Sequence, residues 1–422
     1  MQHVKEVSKF NFEDVPVDPF WNVGNEVEMK IHRIHAYPAK FPAFITTKAL
    51  EYAHKNKKEI NSIADIFCGC GTTAFEARRN NIQYWGCDIN PVATLIAKVK
   101  SKTFNEERLN DYFKKITNYC QQGDFLDEYD TATERLKYWY SRDQYNKLLK
   151  LKNGIEEITP RKSLYRDFFI CAFSNILKST SRWLTKSIKP QVDPKKEPND
   201  VLISFKKQFL FMVMANNEVL KKSSGHAESK IITGSFLDKE TRKPKVDMII
   251  TSPPYVTSYE YADLHQLSTL WLDITDDFRS LREGTIGSLY HDYNFNKEWS
   301  KLNDTGLKIV SLLLDQHKSK AKNVAKYFLD MQKVAQNSYN MLNNAGMAFF
   351  VIGNTEYKGV RIDNAKHLSE SLYLSGFERV LTTKRKISNK ILTPYRDETG
   401  KFSTDSSGRK VYSEEFIIIG IK

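Results

Sequence analysis

The residues with the clearest chemical potential lie at positions 251–255, which read Thr-Ser-Pro-Pro-Tyr. They bring together a hydroxyl group (Ser252), a carbonyl on a rigid proline (Pro253) and an aromatic ring (Tyr255). Hydroxyl and carbonyl oxygens accept hydrogen bonds from an amine, and an aromatic ring can stack on a planar group. Taken alone, however, such residues are more often a strand that ends in a proline turn, with the tyrosine packed at the edge of the sheet.

A largely apolar run, Val246 to Ile250, precedes this loop and predicts a buried strand of a parallel sheet. Pro253 and Pro254 have no N–H group to donate to a neighbouring strand, so the strand must end before them. The loop therefore begins at the carboxyl end of a parallel strand, which is where open α/β sheets bind their ligands.

A second segment, residues 62–73, predicts a binding site for a nucleoside. A short apolar strand here runs into Gly69-Cys70-Gly71 and then into a helix that starts at Thr72. Glycines at such a turn let a ligand approach the backbone, and the N–H groups at the start of the helix point towards it. The next strand reaches Asp88, roughly where a nucleoside-binding βαβ unit places a carboxylate for ribose hydroxyls, about 20 residues on. Because the Gly-x-x-Gly spacing of dinucleotide-binding turns is absent, a single nucleoside is favoured over NAD.

The elements that must position these groups follow an α/β rhythm. Strand, turn, helix, strand and helix span about residues 62–102, and the alternation resumes at residue 230. We therefore predict a Rossmann-like, doubly wound and mostly parallel sheet of seven strands, of which the last is antiparallel. Residues 103–228 read as helices and form an insertion too long to be a loop, so the main domain comprises 1–102 and 229–422. The later strands are predicted at 230–236, 246–250, 347–352, 377–383 and 415–421.

The charge of the chain suits a polyanionic partner such as nucleic acid, because its 422 residues carry a net charge of +13. Residues 179–200, inside the insertion, are basic and contain prolines. Arg182, Lys186 and Lys189 are the candidate contacts to a phosphate backbone. A stretch of this composition is, however, more often a solvated surface segment.

Several classes of protein are excluded by the composition. Five cysteines at irregular spacing indicate a reducing compartment and not a disulfide framework. Cys68 and Cys70 have no second pair or histidine cluster near them, so we expect no metal site. The N-terminus lacks the apolar core of a signal peptide, and no apolar run is long enough to cross a bilayer. We therefore expect a soluble, cytoplasmic protein with no membrane partner.

The chain resembles the S-adenosylmethionine-dependent amino-methyltransferases of DNA. Residues 65–73 are similar to that family's cofactor motif, Asp-Pro-Phe-x-Gly-Ser-Gly-Thr-Thr, with Ile66 in place of proline and Cys70 in place of serine. The glycines and the aspartate of the motif are kept. Asp88 matches the acidic residue with which the family holds the ribose hydroxyls.

Two further motifs occur in the family's order. His-Ala-Tyr-Pro-Ala-Lys-Phe-Pro at 35–42 resembles the N-terminal motif that lies against the methionine end of the cofactor. Residues 251–255 resemble the catalytic motif in its Ser-Pro-Pro-Tyr form. The resemblance covers about residues 31–102 and 230–422.

The resemblance implies a class I methyltransferase fold, S-adenosylmethionine as cofactor, double-stranded DNA as substrate and a flipped-out base. It also implies a restriction–modification role, in which a cognate restriction endonuclease acts separately. The implied catalytic residues are Ser252, Pro253, Pro254 and Tyr255. The implied cofactor-binding residues are Lys40, Phe41, Asp65, Phe67, Gly69, Gly71, Thr72, Thr73, Asp88, Ile89, Ser235 and Thr251.

The base that is methylated follows from the family pattern and not from the residues themselves. Ser-Pro-Pro-Tyr is typical of enzymes that methylate the N4 amine of cytosine, and Asp-Pro-Pro-Tyr of N6-adenine enzymes. Serine and aspartate both accept a hydrogen bond from an exocyclic amine, so N6-adenine stays open as the alternative. An RNA base methyltransferase and an inactive DNA-binding subunit are further alternatives. C5-cytosine methylation fits less well, because no cysteine lies near the end of this strand to supply a thiolate.

Three segments compete for the reading of the DNA sequence. We favour the insertion, 103–228, as a clamp on the DNA, although it lies between the second and third strands and not in the family's commonest place beside the catalytic strand. The polar stretch at 275–325 and the basic connection at 384–413 are the alternatives.

Overall fold

The computed structural model describes residues 3–4, 12–24, 27–37, 40–122, 127–184, 187, 190–222, 225, 227–239, 241, 243–256, 261–275, 277, 281–289, 293–387, 395–396, 402–403, 405, 409–410 and 413–422. The strands within them are β1 (His3–Val4), β2 (Ser62–Asp65), β3 (Gln83–Asp88), β4 (Ser229–Thr233), β5 (Val246–Thr251), β6 (Leu342–Ile352), β7 (Thr355–Tyr357), β8 (Val360–Ile362), β9 (Arg379–Lys386), β10 (Tyr395–Arg396), β11 (Phe402–Ser403), β12 (Arg409–Lys410) and β13 (Glu414–Ile421).

The main sheet has the strand order β1-β9-β13-β6-β5-β2-β3-β4. Strands β2 to β6 pair in parallel, and β13 is antiparallel to both of its neighbours, β6 and β9. The predicted doubly wound, mostly parallel sheet with an antiparallel last strand is therefore confirmed. The two-residue strand β1, which pairs antiparallel with β9, adds an eighth strand that the sequence did not predict.

The order of the strands reverses between β2 and β5. The chain continues from β2 to β3 and β4 on one side, and from β5 to β6 on the other. Ligands of open α/β sheets bind outside the carboxyl ends of the strands at such a point. The two smaller sheets, β10 with β11 and β12, and β7 with β8, lie outside this arrangement.

The helices in the described residues are α1 (Ala43–Lys55), α2 (Thr72–Arg79), α3 (Pro91–Lys100), α4 (Glu106–Gln121), α5 (Glu134–Trp139), α6 (Arg142–Ile158), α7 (Leu164–Ile176), α8 (Val201–Lys222), α9 (Tyr261–Leu264), α10 (Gln266–Trp271), α11 (Phe295–Glu298), α12 (Asp304–Leu314), α13 (Lys318–Met341) and α14 (Asn364–Leu374). Short 3-10 helices lie at Pro19–Trp21, Lys30–Arg33, Tyr129–Thr131 and Trp299–Lys301. Helices α4 to α8 thus occupy the predicted insertion.

Capping side chains set several of the helix boundaries. In α3, Pro91 occupies the first turn and the Asn90 side chain accepts from the N–H of Val92 at 3.0 Å. Residues 131–153 contain two helices, because α5 ends at Trp139 and Ser141 caps the start of α6. The hydroxyl of a capping serine satisfies an N–H group that the helix itself cannot.

The central strands send alternate side chains into two different cores. On β5 and β6, Ile249 and Phe350 join the cluster formed with α12, α13 and α14, whereas Met248 and Phe349 join the cluster formed with α1 and α2. Side chains of a strand alternate between its two faces, so this pattern buries the sheet on both sides. Helix α12 lies in 275–325, which the sequence prediction described only as polar.

The insertion shares a core with the part of the chain that carries the glycine turn. One continuous cluster contains Phe75 of α2 and Ile96 of α3 together with Phe168 of α7, Phe209 of α8 and Trp271 of α10. These buried aromatic and aliphatic side chains join the insertion helices to α2, α3 and α10. The insertion is consequently packed against the part of the chain that carries the glycine turn, and the two parts share one core.

Candidate active site

The site lies where β2, β3, β4 and β5 end next to one another. Asp65 and Thr251 are the last residues of β2 and β5, and Asp88 is the last residue of β3. The Thr251 hydroxyl donates to Asp65 Oδ1 at 2.7 Å, and both side chains are buried. This bond joins the two strands that flank the reversal of the sheet. The structure thus brings together the two segments that the sequence pointed to.

Asp65 also holds the start of the glycine turn. Its Oδ1 accepts from the N–H of Phe67 at 3.2 Å. Burial raises the pKa of this carboxyl to about 6, and hydrogen bonds from Thr251 and the backbone of Phe67 oppose the rise. The side chains of Asp65 and Thr251, which the sequence predicted to bind the cofactor, therefore hydrogen-bond to each other and to the start of the glycine turn.

The glycine turn has a conformation that few other residues could adopt. Gly69 and Gly71 have φ angles of +46° and +76°, in the left-handed region. A Cβ on Gly71 would come within 2.6 Å of Ala97 in α3. The turn is consequently pressed against α3, and helix α2 starts at Thr72, whose side chain is buried with that of Thr73.

The carboxylate of Asp88 faces this turn and is held in place by two backbone N–H groups. Its Oδ2 accepts from the N–H of Gly69 at 2.9 Å, and its Oδ1 accepts from the N–H of Asn90 at 2.8 Å. Burial raises the pKa of Asp88, whereas the two backbone hydrogen bonds lower it. A carboxylate has about four lone-pair positions, so each oxygen can accept a further hydrogen bond from a hydroxyl group. Ile89 and Phe67, beside it in sequence and across the turn, are partly exposed apolar side chains.

The loop at 251–255 is held by groups from two other elements, β6 and α13. The Ser252 hydroxyl donates to the carbonyl of Val351, in β6, at 2.9 Å. The carbonyl of Pro254 accepts from the hydroxyl of Tyr327, in α13, at 2.9 Å. Since its one proton is directed at Val351, the Ser252 oxygen can face a substrate only as an acceptor.

Tyr255 is fixed at both its ring and its hydroxyl. A Cβ on Gly353 would lie 3.2 Å from the ring, so the glycine gives the ring room. The hydroxyl donates to Glu415 Oε1, in β13, at 3.2 Å, and the other oxygen of Glu415 accepts from Arg385, in β9. Sequence reasoning missed Tyr327, Glu415 and Arg385, because these residues belong to no local motif.

The N-terminal segment reaches the glycine turn through Tyr37. The Tyr37 ring lies 3.6 Å from the position of a Cβ on Gly69 and stacks on His265 at 5.0 Å between ring centres. Burial lowers the pKa of His265 to about 4, so this imidazole is neutral at physiological pH. Tyr37 was not among the predicted site residues.

The remaining predicted cofactor residues are arranged less directly. Lys40 Nζ pairs with Glu28 Oε2 at 2.5 Å, and Phe41 packs on the core cluster behind α1. Ser235, which the sequence placed within a strand, lies in the turn after β4, where its N–H donates to Asp238. Pro38 and Ala39, between Tyr37 and Lys40, lie outside the described residues.

The predicted basic contact loop is only partly described. The guanidinium of Arg182 donates to the backbone carbonyls of Lys137, at 3.0 Å, and Tyr138, at 2.6 Å. These bonds tie the loop to the end of α5. Lys186 and Lys189 lie outside the described residues.

Known proteins with similar sequences point to one reaction. A sequence model of the family described as DNA methylase (N6_N4_Mtase) matches residues 2–99. The type II methyltransferase M.MvaI of Kocuria varians is 24% identical over 403 residues, which cover 89% of this chain and 88% of that protein. These similarities support an S-adenosylmethionine-dependent DNA amino-methyltransferase of the restriction–modification type.

Other relatives of this methyltransferase carry the same description. M.AvaI of Nostoc sp. is 21% identical over 378 residues, covering 77% of this chain and 75% of that protein. M.BsoBI of Geobacillus stearothermophilus is 24% identical over 294 residues, covering 61% and 55%. The solved rRNA methyltransferase aviRa from Streptomyces viridochromogenes aligns with 8% identity and a TM-score of 0.29, over 99% of this chain and 96% of that one, which is too weak to carry an argument.

The geometry fits S-adenosylmethionine, the cofactor of this methyltransferase. The glycines in the left-handed region carry no side chain at the carboxyl end of β2, so a ligand can approach the backbone there. Asp88 keeps acceptor positions that suit ribose hydroxyls.

In the described part of the chain, none of the helices has the length and apolar character that a bilayer-crossing segment needs, and no three His, Cys, Asp or Glu side chains are grouped to hold a metal ion. All five cysteines, which are among the described residues, are free thiols.

We expect Asp88→Ala to weaken binding of S-adenosylmethionine by roughly 10- to 100-fold, since a hydrogen bond to a charged group contributes about 1.5–3 kcal/mol. Isothermal titration calorimetry would measure the affinity, with circular dichroism to confirm the fold. Asp304→Ala, which removes an exposed acidic side chain at the start of α12, is the control and should bind normally. An unchanged affinity in Asp88→Ala would exclude the ribose contact.

Proposed function

We propose that this methyltransferase transfers a methyl group to the exocyclic N4 amine of a cytosine that is flipped out of duplex DNA. The observation that carries the proposal is the direction of the Ser252 hydroxyl, which donates to the carbonyl of Val351. Its lone pairs, and the carbonyl of Pro253 next to it, are then acceptors beside the ring of Tyr255. An acceptor pair next to an aromatic face suits an amine on a planar base.

The amine of cytosine is a weak nucleophile because its lone pair is delocalised into the ring. Two acceptors that take both amine hydrogens favour a more tetrahedral nitrogen, whose lone pair is less delocalised into the ring and is available for attack. We assign this task to Ser252 Oγ and the Pro253 carbonyl. S-adenosylmethionine supplies an electrophilic methyl group, and the fixed position of the amine supplies most of the catalysis through alignment.

Tyr255 would hold the base by stacking, and the duplex must release the base for this to happen. A base that is stacked within a DNA duplex cannot reach a pocket at the end of a β-strand. Enzymes that act on bases therefore extrude the nucleotide from the duplex. The ring of Tyr255 is partly exposed and held at its hydroxyl end, so its face can receive the base. Pro254, anchored by the hydroxyl of Tyr327, keeps the loop rigid.

The choice of N4-cytosine over N6-adenine rests on the Ser-Pro-Pro-Tyr form of the motif. The wild-type enzyme should form N4-methylcytosine in host DNA. Mass spectrometry of nucleosides from cells with and without the gene measures this product. N6-methyladenine in its place would move the assignment to the alternative base while keeping the site, and methylated RNA with unmodified DNA would overturn the proposal.

Substitutions in the loop should separate orientation from stacking. We expect Ser252→Ala to lower kcat roughly 10- to 100-fold, because the amine loses an acceptor whose removal costs about 1.5–3 kcal/mol in a desolvated site. Tyr255→Ala should cost about 1–3 kcal/mol of base stacking and should also slow the reaction. Methyl transfer from labelled cofactor to a DNA duplex measures both, with cofactor affinity as the control. Full activity in both variants would show that this loop is not the catalytic one.

The insertion, 103–228, is our candidate for the DNA clamp, with Arg182, Lys186 and Lys189 as phosphate contacts. Because the insertion shares its core with α2, α3 and α10, deleting it would expose that core. Substitution of single side chains is therefore the sharper test.

We expect the double substitution Lys186→Gln and Lys189→Gln to weaken DNA binding and to reduce the salt dependence of the affinity by about one unit of slope for each phosphate that a lysine no longer neutralises. Lys206→Gln with Lys207→Gln on the exposed face of α8 makes the same change in net charge and is the matched control. Fluorescence anisotropy at several salt concentrations gives the slopes. Equal slopes in the two double variants would argue against a contact at this loop.

A further inference from the structure

The hydroxyl of Tyr255 is linked to a charged pair that belongs to none of the motifs. Glu415 accepts from the tyrosine at Oε1, at 3.2 Å, and from Arg385 Nη2 at Oε2. Glu415 and Arg385 are direct cross-strand partners on β13 and β9. A single carboxylate thus connects the aromatic ring of the catalytic loop to the last two strands of the sheet.

The far end of this connection is also fixed. Arg385 is 4% exposed, and its guanidinium lies 5.5 Å from the centre of the Phe44 ring, at the start of α1. An arginine between a carboxylate and an aromatic face has little freedom to move. Arg385 therefore holds Glu415 in place, and Glu415 in turn holds the hydroxyl of Tyr255.

Burying a charged pair in this position costs desolvation free energy. Desolvation of a buried ion pair offsets much of its attraction, so such a pair contributes little net stability. Its geometric effect is larger, because an aromatic side chain that is held at its hydroxyl cannot exchange freely between rotamers. The absence of a side chain at Gly353 leaves the space that the ring occupies.

We propose that Glu415 and Arg385 are positioning residues, which fix the Tyr255 ring in the orientation that places the extruded base for methyl transfer. This inference rests on the proposed function of the loop. Neither residue touches the base. Their effect passes through one bond, from the tyrosine hydroxyl to Glu415 Oε1.

Tyr255→Phe tests this bond directly, because it keeps the stacking face and removes only the hydroxyl. We expect kcat to fall roughly three- to tenfold, with little change in KM for DNA, as expected for the loss of a rotamer restraint. Glu415→Ala should lower kcat similarly. The double variant Tyr255→Phe/Glu415→Ala should be no slower than the slower single variant, because both changes remove the same bond.

Two further variants separate positioning from a structural role. Glu415→Gln keeps an acceptor for the tyrosine hydroxyl and should retain more activity than Glu415→Ala. Glu414→Ala removes the neighbouring carboxylate of β13, which faces Lys384 at 3.8 Å, and should leave kcat unchanged. Tyr255→Phe remains informative even if Glu415→Ala fails to fold.

The outcomes distinguish this inference from the proposed function. Wild-type kcat in Tyr255→Phe, together with impaired Tyr255→Ala, would overturn the positioning role and leave the catalytic loop in place. Losses that multiply in the double variant would also overturn it, since they would show two independent effects. Full activity in both Tyr255→Ala and Ser252→Ala would overturn the function of the loop itself.

Discussion

The hydrogen bond from Thr251 to Asp65 is the contact on which the site depends. It joins the carboxyl ends of β2 and β5 at 2.7 Å, where the order of the sheet reverses. Both groups are buried, and a buried polar group that loses its partner costs far more than an exposed one. The bond therefore links the glycine turn to the loop at 251–255. Asp88 joins the same frame through the N–H of Gly69.

The two halves of the site are built in different ways. On the cofactor side, backbone N–H groups of nearby residues organise Asp88, and the left-handed Gly71 presses the turn onto α3. In the loop at 251–255, side chains and carbonyls from distant elements hold Ser252, Pro254 and Tyr255. The cofactor side is thus encoded within one βαβ unit, whereas the loop relies on the assembled sheet.

This difference explains how much of the molecule the sequence could predict. Glycine turns, proline strand ends and the parallel α/β rhythm are local signals. They were sufficient to predict a mostly parallel sheet with an antiparallel last strand and to place both motifs at the carboxyl ends of its strands. Tyr255 and Glu415, in contrast, are separated by 160 residues, and no local pattern links them. Nor can a sequence show that the Ser252 hydroxyl donates to a backbone carbonyl, or that the guanidinium of Arg182 donates to backbone carbonyls. Those facts depend on tertiary packing.

The shared core of the insertion bears on how such enzymes could be redesigned. Phe168 and Phe209 of the insertion pack in one cluster with Phe75 and Ile96, which lie beside the glycine turn. Interiors are close-packed, and a foreign segment rarely matches the shape of its host. A graft of residues 103–228 from a relative would have to bring compatible faces of α2, α3 and α10 with it. The insertion is therefore a separate segment in the sequence, but it cannot be exchanged without the helices on which it packs.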